Sequence, residues 1–165
     1  MYILHATADM ELRDSGLALL HLIDRRDPKQ FCMKVLLPEG SRLLPELKAR
    51  GIEAVTLPIR GNRPLCLRAL PQLIRCLRRE RPDILHTHGY TGARLAGALS
   101  GVRTLISTQH RPAGRTTRMY RLFRLLYRGF TTFTVTTTEE AQRALAQKGI
   151  RPDLTAVISD GVPPI

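Results

Sequence analysis

The residues in this sequence best suited to chemistry are histidines. His86-Thr87-His88 runs into Gly89-Tyr90, and His110 is followed at once by Arg111. A neutral imidazole donates and accepts hydrogen bonds and titrates near neutrality, which suits proton transfer, hydroxyl recognition or metal ligation. For His110 two uses stay open: it could meet a hydroxyl or a developing charge, or cap the segment Leu105 to Thr108 structurally. Metal ligation is not expected. His86 and His88 take alternate positions of a β-type run and are expected to diverge while it stays regular, and no acidic or cysteine ligand lies close in sequence. Ser15-Gly16 could present backbone N–H groups to a phosphate, although plain helix entry is the simpler explanation. The fingerprint G-x-G-x-x-G and the G-K-[ST] loop are absent after the first strand, which argues against a dinucleotide-binding dehydrogenase or a P-loop nucleotidase. No Ser-His-Asp or Cys-His arrangement suggests a hydrolase. Glu139-Glu140 suits a helix N-terminus better than acid–base work.

These residues need elements to hold them, and the periodicity alternates between β-type runs and helical stripes. Strands are expected at Tyr2 to Ala6, Phe31 to Leu37, Ile52 to Leu57, Ile84 to His88, Thr104 to Thr108, Phe130 to Thr136 and Thr155 to Ile158. Between them lie helical segments opening at Gly16, at Ser41, at Leu67, at Thr91, at Arg115 and at Thr138-Glu139. The clearest has Leu67, Leu70, Leu73, Ile74 and Leu77 on one stripe, with Arg68, Arg75, Arg78 and Arg79 facing away. Strands alternating with helices predict an α/β, Rossmann-like parallel sheet of about seven strands with helices on both faces. In such a sheet ligands collect at the carboxyl ends of the strands, the edge where Ser15-Gly16, His88-Gly89-Tyr90 and His110-Arg111 are expected.

Length and composition agree with one domain. The 165 residues are 43% hydrophobic and 24% charged, an ordinary globular balance. No apolar run approaches the ~18 residues of a membrane span, and the start lacks the pattern of a secretory signal. Cys32, Cys66 and Cys76 are odd in number and lack metal-like spacing, so core thiols in a reduced cytosolic setting are expected. The formal net charge is +12, and all but four of the 26 basic residues are arginine. No carboxylate occurs from Ile84 to Thr138, where Arg94, Arg103, Arg111, Arg115, Arg118, Arg121, Arg124 and Arg128 fall. That field would attract a polyanion, whether nucleic acid, anionic lipid or a phosphorylated ligand, and it equally describes solvated helix surfaces.

The segments Arg81-Pro82-Asp83-Ile84-Leu85-His86-Thr87-His88-Gly89 and Leu105-Ile106-Ser107-Thr108-Gln109-His110 resemble the N-terminal half of a family 4 glycosyltransferase of GT-B architecture. Tyr2-Ile3-Leu4-His5, Val135-Thr136-Thr137-Thr138-Glu139-Glu140 and Val157-Ile158-Ser159-Asp160-Gly161-Val162 are similar to family segments in the same order. The resemblance implies a retaining transferase that moves a sugar from a nucleotide-sugar donor to a glycan or lipid-linked acceptor of the cell envelope. It implies no metal and no cofactor beyond that substrate. His110 matches the family's histidine beside the transferred sugar, and Ser15 and Gly16 sit where a glycine pair approaches the donor phosphate. His88, Gly89, Tyr90 and Arg111 would line the acceptor side. The family pair Gly-Gly is reduced here to Gly16, and Asp160 stands where asparagine is common. Residues 1–158 would then form the acceptor-side domain and 159–165 the start of a linker to a C-terminal domain, without which turnover is not expected.

The helical segment Arg115 to Arg128 carries Arg121, Arg124 and Arg128 between Tyr120 and Tyr127. The pattern suits the surface of an anionic membrane, and it also suits an amphipathic helix packed on the sheet. A cytoplasmic protein, peripheral on the inner face of the membrane, is the corresponding expectation. Two other functions are open to the same sequence: half of a sugar-nucleotide epimerase of GT-B type, and a non-catalytic polyanion-binding module. Nucleic acid is the less expected partner, because no recognised motif or aromatic platform accompanies the charge.

Overall fold

A computed structural model describes residues 1–12, 14–59, 66–109, 131–147 and 150–159. Seven strands, β1 (Tyr2–Thr7), β2 (Cys32–Pro38), β3 (Glu53–Leu57), β4 (Ile84–His88), β5 (Thr104–Gln109), β6 (Phe133–Thr136) and β7 (Thr155–Val157), form one sheet. Their order is β3-β2-β1-β4-β5-β6-β7, and every neighbouring pair is parallel. The order runs outward in one direction to β3 and in the other from β4 onward, so the topology switches between β1 and β4. This is the Rossmann-like parallel sheet expected from the alternation of elements.

The described helices are α1 (Asp14–Asp24), α2 (Leu43–Ala49), α3 (Leu70–Glu80), α4 (Thr91–Leu99) and α5 (Glu139–Gln147). Two apolar layers separate cleanly by strand parity. On one face Leu19, Leu20 and Ile23 of α1 and Leu43 and Leu47 of α2 pack with Val35 and Leu37 of β2. On the other, Leu73, Cys76 and Leu77 of α3 and Ala93 and Ala96 of α4 cover Leu4, Ala6, Leu36, Leu85 and Leu105.

Local chemistry explains the element ends. Pro71 lies in the first turn of α3, where its missing N–H removes no helical bond. Gly51 follows α2 with φ +65°, a left-handed stop that a side chain would strain. The Thr138 hydroxyl accepts from the Ala141 N–H at 3.1 Å and caps α5. In α4, a Cβ on Gly97 would stand 2.6 Å from Leu85 Cδ2 and 2.7 Å from Leu105 Cδ2. The small residues of this helix therefore exist to bring its backbone down onto β4 and β5.

β4 and α4 occupy the residues expected of them, and the other strands differ at their ends. The stripe expected from Leu67 to Leu77 begins later: Leu67 belongs to a 3-10 turn and is 66% exposed, while α3 starts at Leu70. β6 starts at Phe133 rather than Phe130. Cys76 is buried as expected, but Cys32, at the open amino end of β2, is exposed and Cys66 half-buried. The helix expected from Arg115 to Arg128 lies outside the described residues. No described helix is long and apolar enough to cross a membrane.

Candidate functional site

Parallel pairing sets Thr7, at the end of β1, beside His88, at the end of β4. This pair marks the carboxyl edge of the sheet at the switch in strand order, the place where open parallel sheets bind ligands in a crevice between diverging loops. The β1 loop is tied down closely. The Asp9 N–H donates to Thr7 Oγ1 at 3.1 Å, Ser41 Oγ donates to the Asp9 carbonyl at 2.7 Å, and the Arg42 N–H donates to the Met10 carbonyl at 2.8 Å. The Ser15 hydroxyl donates to the Asp9 carboxylate.

Ser15 and Gly16 are thus at the N-terminus of α1, at the edge where they were expected. The Ser15 hydroxyl is already bound to a carboxylate, and that negative charge opposes a phosphate at the same place. Gly16 is buried, and a Cβ there would stand 3.2 Å from Leu43 Cδ1, so close packing of α1 on α2 accounts for the glycine. On the β4 side, Gly89 has φ +60° and its N–H donates to the Thr108 carbonyl at 3.0 Å. That turn requires glycine and locks the β4 loop to β5.

Tyr90 requires a correction. It was expected on the acceptor side, yet its ring lies in the core with Ala69, Leu73 and Ala93 and is 2% exposed. Burial pushes its phenol up to about 12, so the group stays protonated. A large, mostly apolar ring at the start of α4 gains more by filling the layer under the sheet than by facing a crevice. His88 is buried as well, and Arg94, in the first turns of α4, is an arginine held inside the protein. His110, Arg111, Arg121, Arg124 and Arg128 lie outside the described residues.

The expectation that His86 and His88 diverge is overturned. Their ring centroids are 4.4 Å apart, and His5 of β1 joins them at 5.0 Å from His86 and 5.4 Å from His88. The reason is strand parity: successive side chains alternate, so residues two apart share a face. His5 pairs with His86 in the β1–β4 register, which adds it to the same face. One coordinating atom from each ring falls within 4.8 Å of the others. Nδ1 of His5 and Nε2 of His88 lie at hydrogen-bond distance, 3.1 Å, and Nε2 of His86 lies 2.7 Å from the Thr108 hydroxyl. His5 is held neutral: burial, with the neighbouring His86, pushes its imidazole down to about 3. Sequence reasoning missed His5 because nothing in one dimension marks β1 and β4 as neighbours. The signal was the shared parity of His5, His86 and His88 once those two strands pair.

The sequence profile of the glycosyl transferase 4-like domain matches residues 16–161. No curated protein matches the chain. Among solved structures, Anabaena HepE in complex with UDP superposes with a TM-score of 0.74 at 19% identity, covering 98% of this chain and 44% of its own. A glycosyltransferase from Rickettsia africae gives a TM-score of 0.68 at 13% identity over 96% of this chain and 42% of its own. The UDP-GlcNAc 2-epimerase from Neisseria meningitidis bound to UDP-GlcNAc gives 0.66 at 19% identity, over 95% and 45% respectively. This chain spans less than half the length of each of these structures.

Proposed function

The chain belongs to the glycosyl transferase 4-like domain family, and from that premise we propose that it forms the acceptor-side half of a retaining GT-B glycosyltransferase. The reaction would transfer a sugar from a nucleotide-sugar donor to a glycan or lipid-linked acceptor of the cell envelope. The observation that carries this proposal is the family match over residues 16–161, which takes in every strand from β2 to β7. Anabaena HepE, of similar fold, binds UDP-glucose, which supports a uridine nucleotide sugar as the first donor to try.

Within this account the residues divide by position. Gly89 holds the β4 loop against β5 through its N–H to the Thr108 carbonyl. The loop after β1, fastened through Asp9, Ser15 and Ser41, would form the opposite wall of the ligand crevice. His110, directly after β5, would stand beside the transferred sugar and Arg111 beside the acceptor. Ser15 and Gly16 would approach the donor phosphate through backbone N–H groups, because the Ser15 hydroxyl is committed to Asp9. Arg121, Arg124 and Arg128 would hold an anionic membrane surface. No metal or cofactor has a part in this transfer. Most of the donor would be held by a second domain, so the isolated chain would bind substrate weakly and not turn over.

The test is chemical-shift mapping on the isolated chain with UDP-glucose and UDP. Perturbation confined to Ala8–Gly16 and His88–Tyr90 supports the proposed crevice, whereas perturbation at β7 alone speaks against it. A second function, half of a sugar-nucleotide epimerase, draws on the similar fold of the Neisseria epimerase. The complete gene product separates the two. An epimerase converts its nucleotide sugar with no acceptor present, and a transferase consumes it only when an acceptor is supplied.

A further inference from the structure

We propose that His5, His86 and His88 form a binding site for a divalent first-row transition metal ion, with zinc as the first ion to test. The proposal goes beyond the transferase and does not rest on it.

Three imidazoles share one face of two adjacent strands, in a layer whose neighbouring positions Val35 and Leu37 are apolar. Burying polar rings there costs free energy unless they find partners. His5 is 1% exposed, and the partner of its Nδ1 is another imidazole nitrogen, Nε2 of His88, a contact that an ion held between the two rings would replace. The grouping suits an ion in two further respects. Nδ1 of His5 and Nε2 of His88 lie 3.1 Å apart, close to the roughly 3.3 Å between two nitrogens on a tetrahedral zinc with bonds near 2.05 Å. The Nε2 of His86 faces the Thr108 hydroxyl at 2.7 Å, so this ring would ligate through Nδ1. A hydroxyl on the far nitrogen is the kind of outer contact that fixes the orientation of a ligating ring.

The donor set selects the ion. Imidazole nitrogen suits zinc, copper and nickel, whereas magnesium and calcium require oxygen, and among the described residues no carboxylate belongs to the cluster. Three neutral ligands leave the ion its full charge and a fourth position for water or an anion. The ion would pin β1 to β4 beneath the crevice at the switch in strand order.

The experiment is zinc titration of the chelator-stripped chain by calorimetry, in a Cys32→Ser/Cys66→Ser background that removes the two accessible thiols. X-ray absorption at the zinc edge is measured on the same sample. The expected result is one zinc per chain, a first shell of nitrogen near 2.05 Å with imidazole scattering, and affinity at least about tenfold weaker in His5→Asn and in His86→Asn. His21→Asn, outside the cluster, should bind as the parent does. Two results overturn the proposal: no saturable uptake by the folded parent, or an absorption spectrum showing an oxygen shell without imidazole. The spectrum is read on the parent protein, so it decides the matter even if a histidine variant fails to fold.

Discussion

Nδ1 of His5 and Nε2 of His88 lie 3.1 Å apart, bridging β1 and β4 at the point where the sheet changes direction. Because an N–H···N bond needs one ring to accept, the pair cannot both be fully protonated and keep this contact.

Acid sensitivity follows from the burial of His5 beside His86. The folded protein holds His5 near 3 against an ordinary value of 6.5, so the unfolded chain binds the extra proton first. The contribution is complete above about pH 6.5 and is lost as pH falls toward about 3, reaching about 2 kcal/mol by pH 5. Urea unfolding between about pH 7 and pH 5 should show the parent losing stability faster than His5→Leu, by one proton's slope. Equal slopes would contradict the burial of a neutral His5.

Gly97→Ala sets two effects against each other. Replacing a helical glycine gains about 1 kcal/mol from backbone entropy. The new methyl must displace Leu85 and Leu105 from contacts below 3.0 Å, at about 1–3 kcal/mol. The clash is expected to win, with a net loss of about 1 kcal/mol by denaturant titration. A stabilised variant would mean that α4 does not sit as close to β4 and β5 as described.

Tyr90 separates packing from ligand contact. Tyr90→Ala should cost about 3–5 kcal/mol, as for other buried aromatic residues, while Tyr90→Phe should cost less than about 1 kcal/mol. Tyr90→Phe should also leave ligand-induced shifts at Gly89 unchanged. If those shifts vanish, the hydroxyl is a binding group and the core placement is insufficient to explain the residue.

Thr138→Ala removes the cap on the Ala141 N–H and should cost about 1 kcal/mol. Hydrogen exchange should rise in the first turn of α5 and stay unchanged in β1 and β4.

Much of the fold was legible because its signals are local. Alternating strands and helices gave the sheet, and β4 and α4 fell on the residues expected. Pro71, Gly51 and Thr138 are punctuation that any reader of the chain can find. What failed was whatever depends on a neighbour distant in sequence. The contact between Gly16 and Leu43 shows only once α1 packs on α2. Tyr90 looks like an edge residue, yet lies in the core because α3 and the 3-10 turn before it bring Leu73 and Ala69 into the same apolar cluster. The histidine cluster needed two facts together, strand parity and the pairing of β1 with β4. The first was available from His86 and His88 alone, and the expectation of divergence misapplied it.

The measurement closest to the central claim is sugar transfer by the complete gene product, followed as acceptor-dependent consumption of a radiolabelled nucleotide sugar, beginning with UDP-glucose. The account predicts a labelled glycan or lipid product with the donor's anomeric configuration retained, and a loss of at least about a hundredfold in His110→Ala. Conversion of a nucleotide sugar into its epimer without any acceptor, or full activity in His110→Ala, would contradict it.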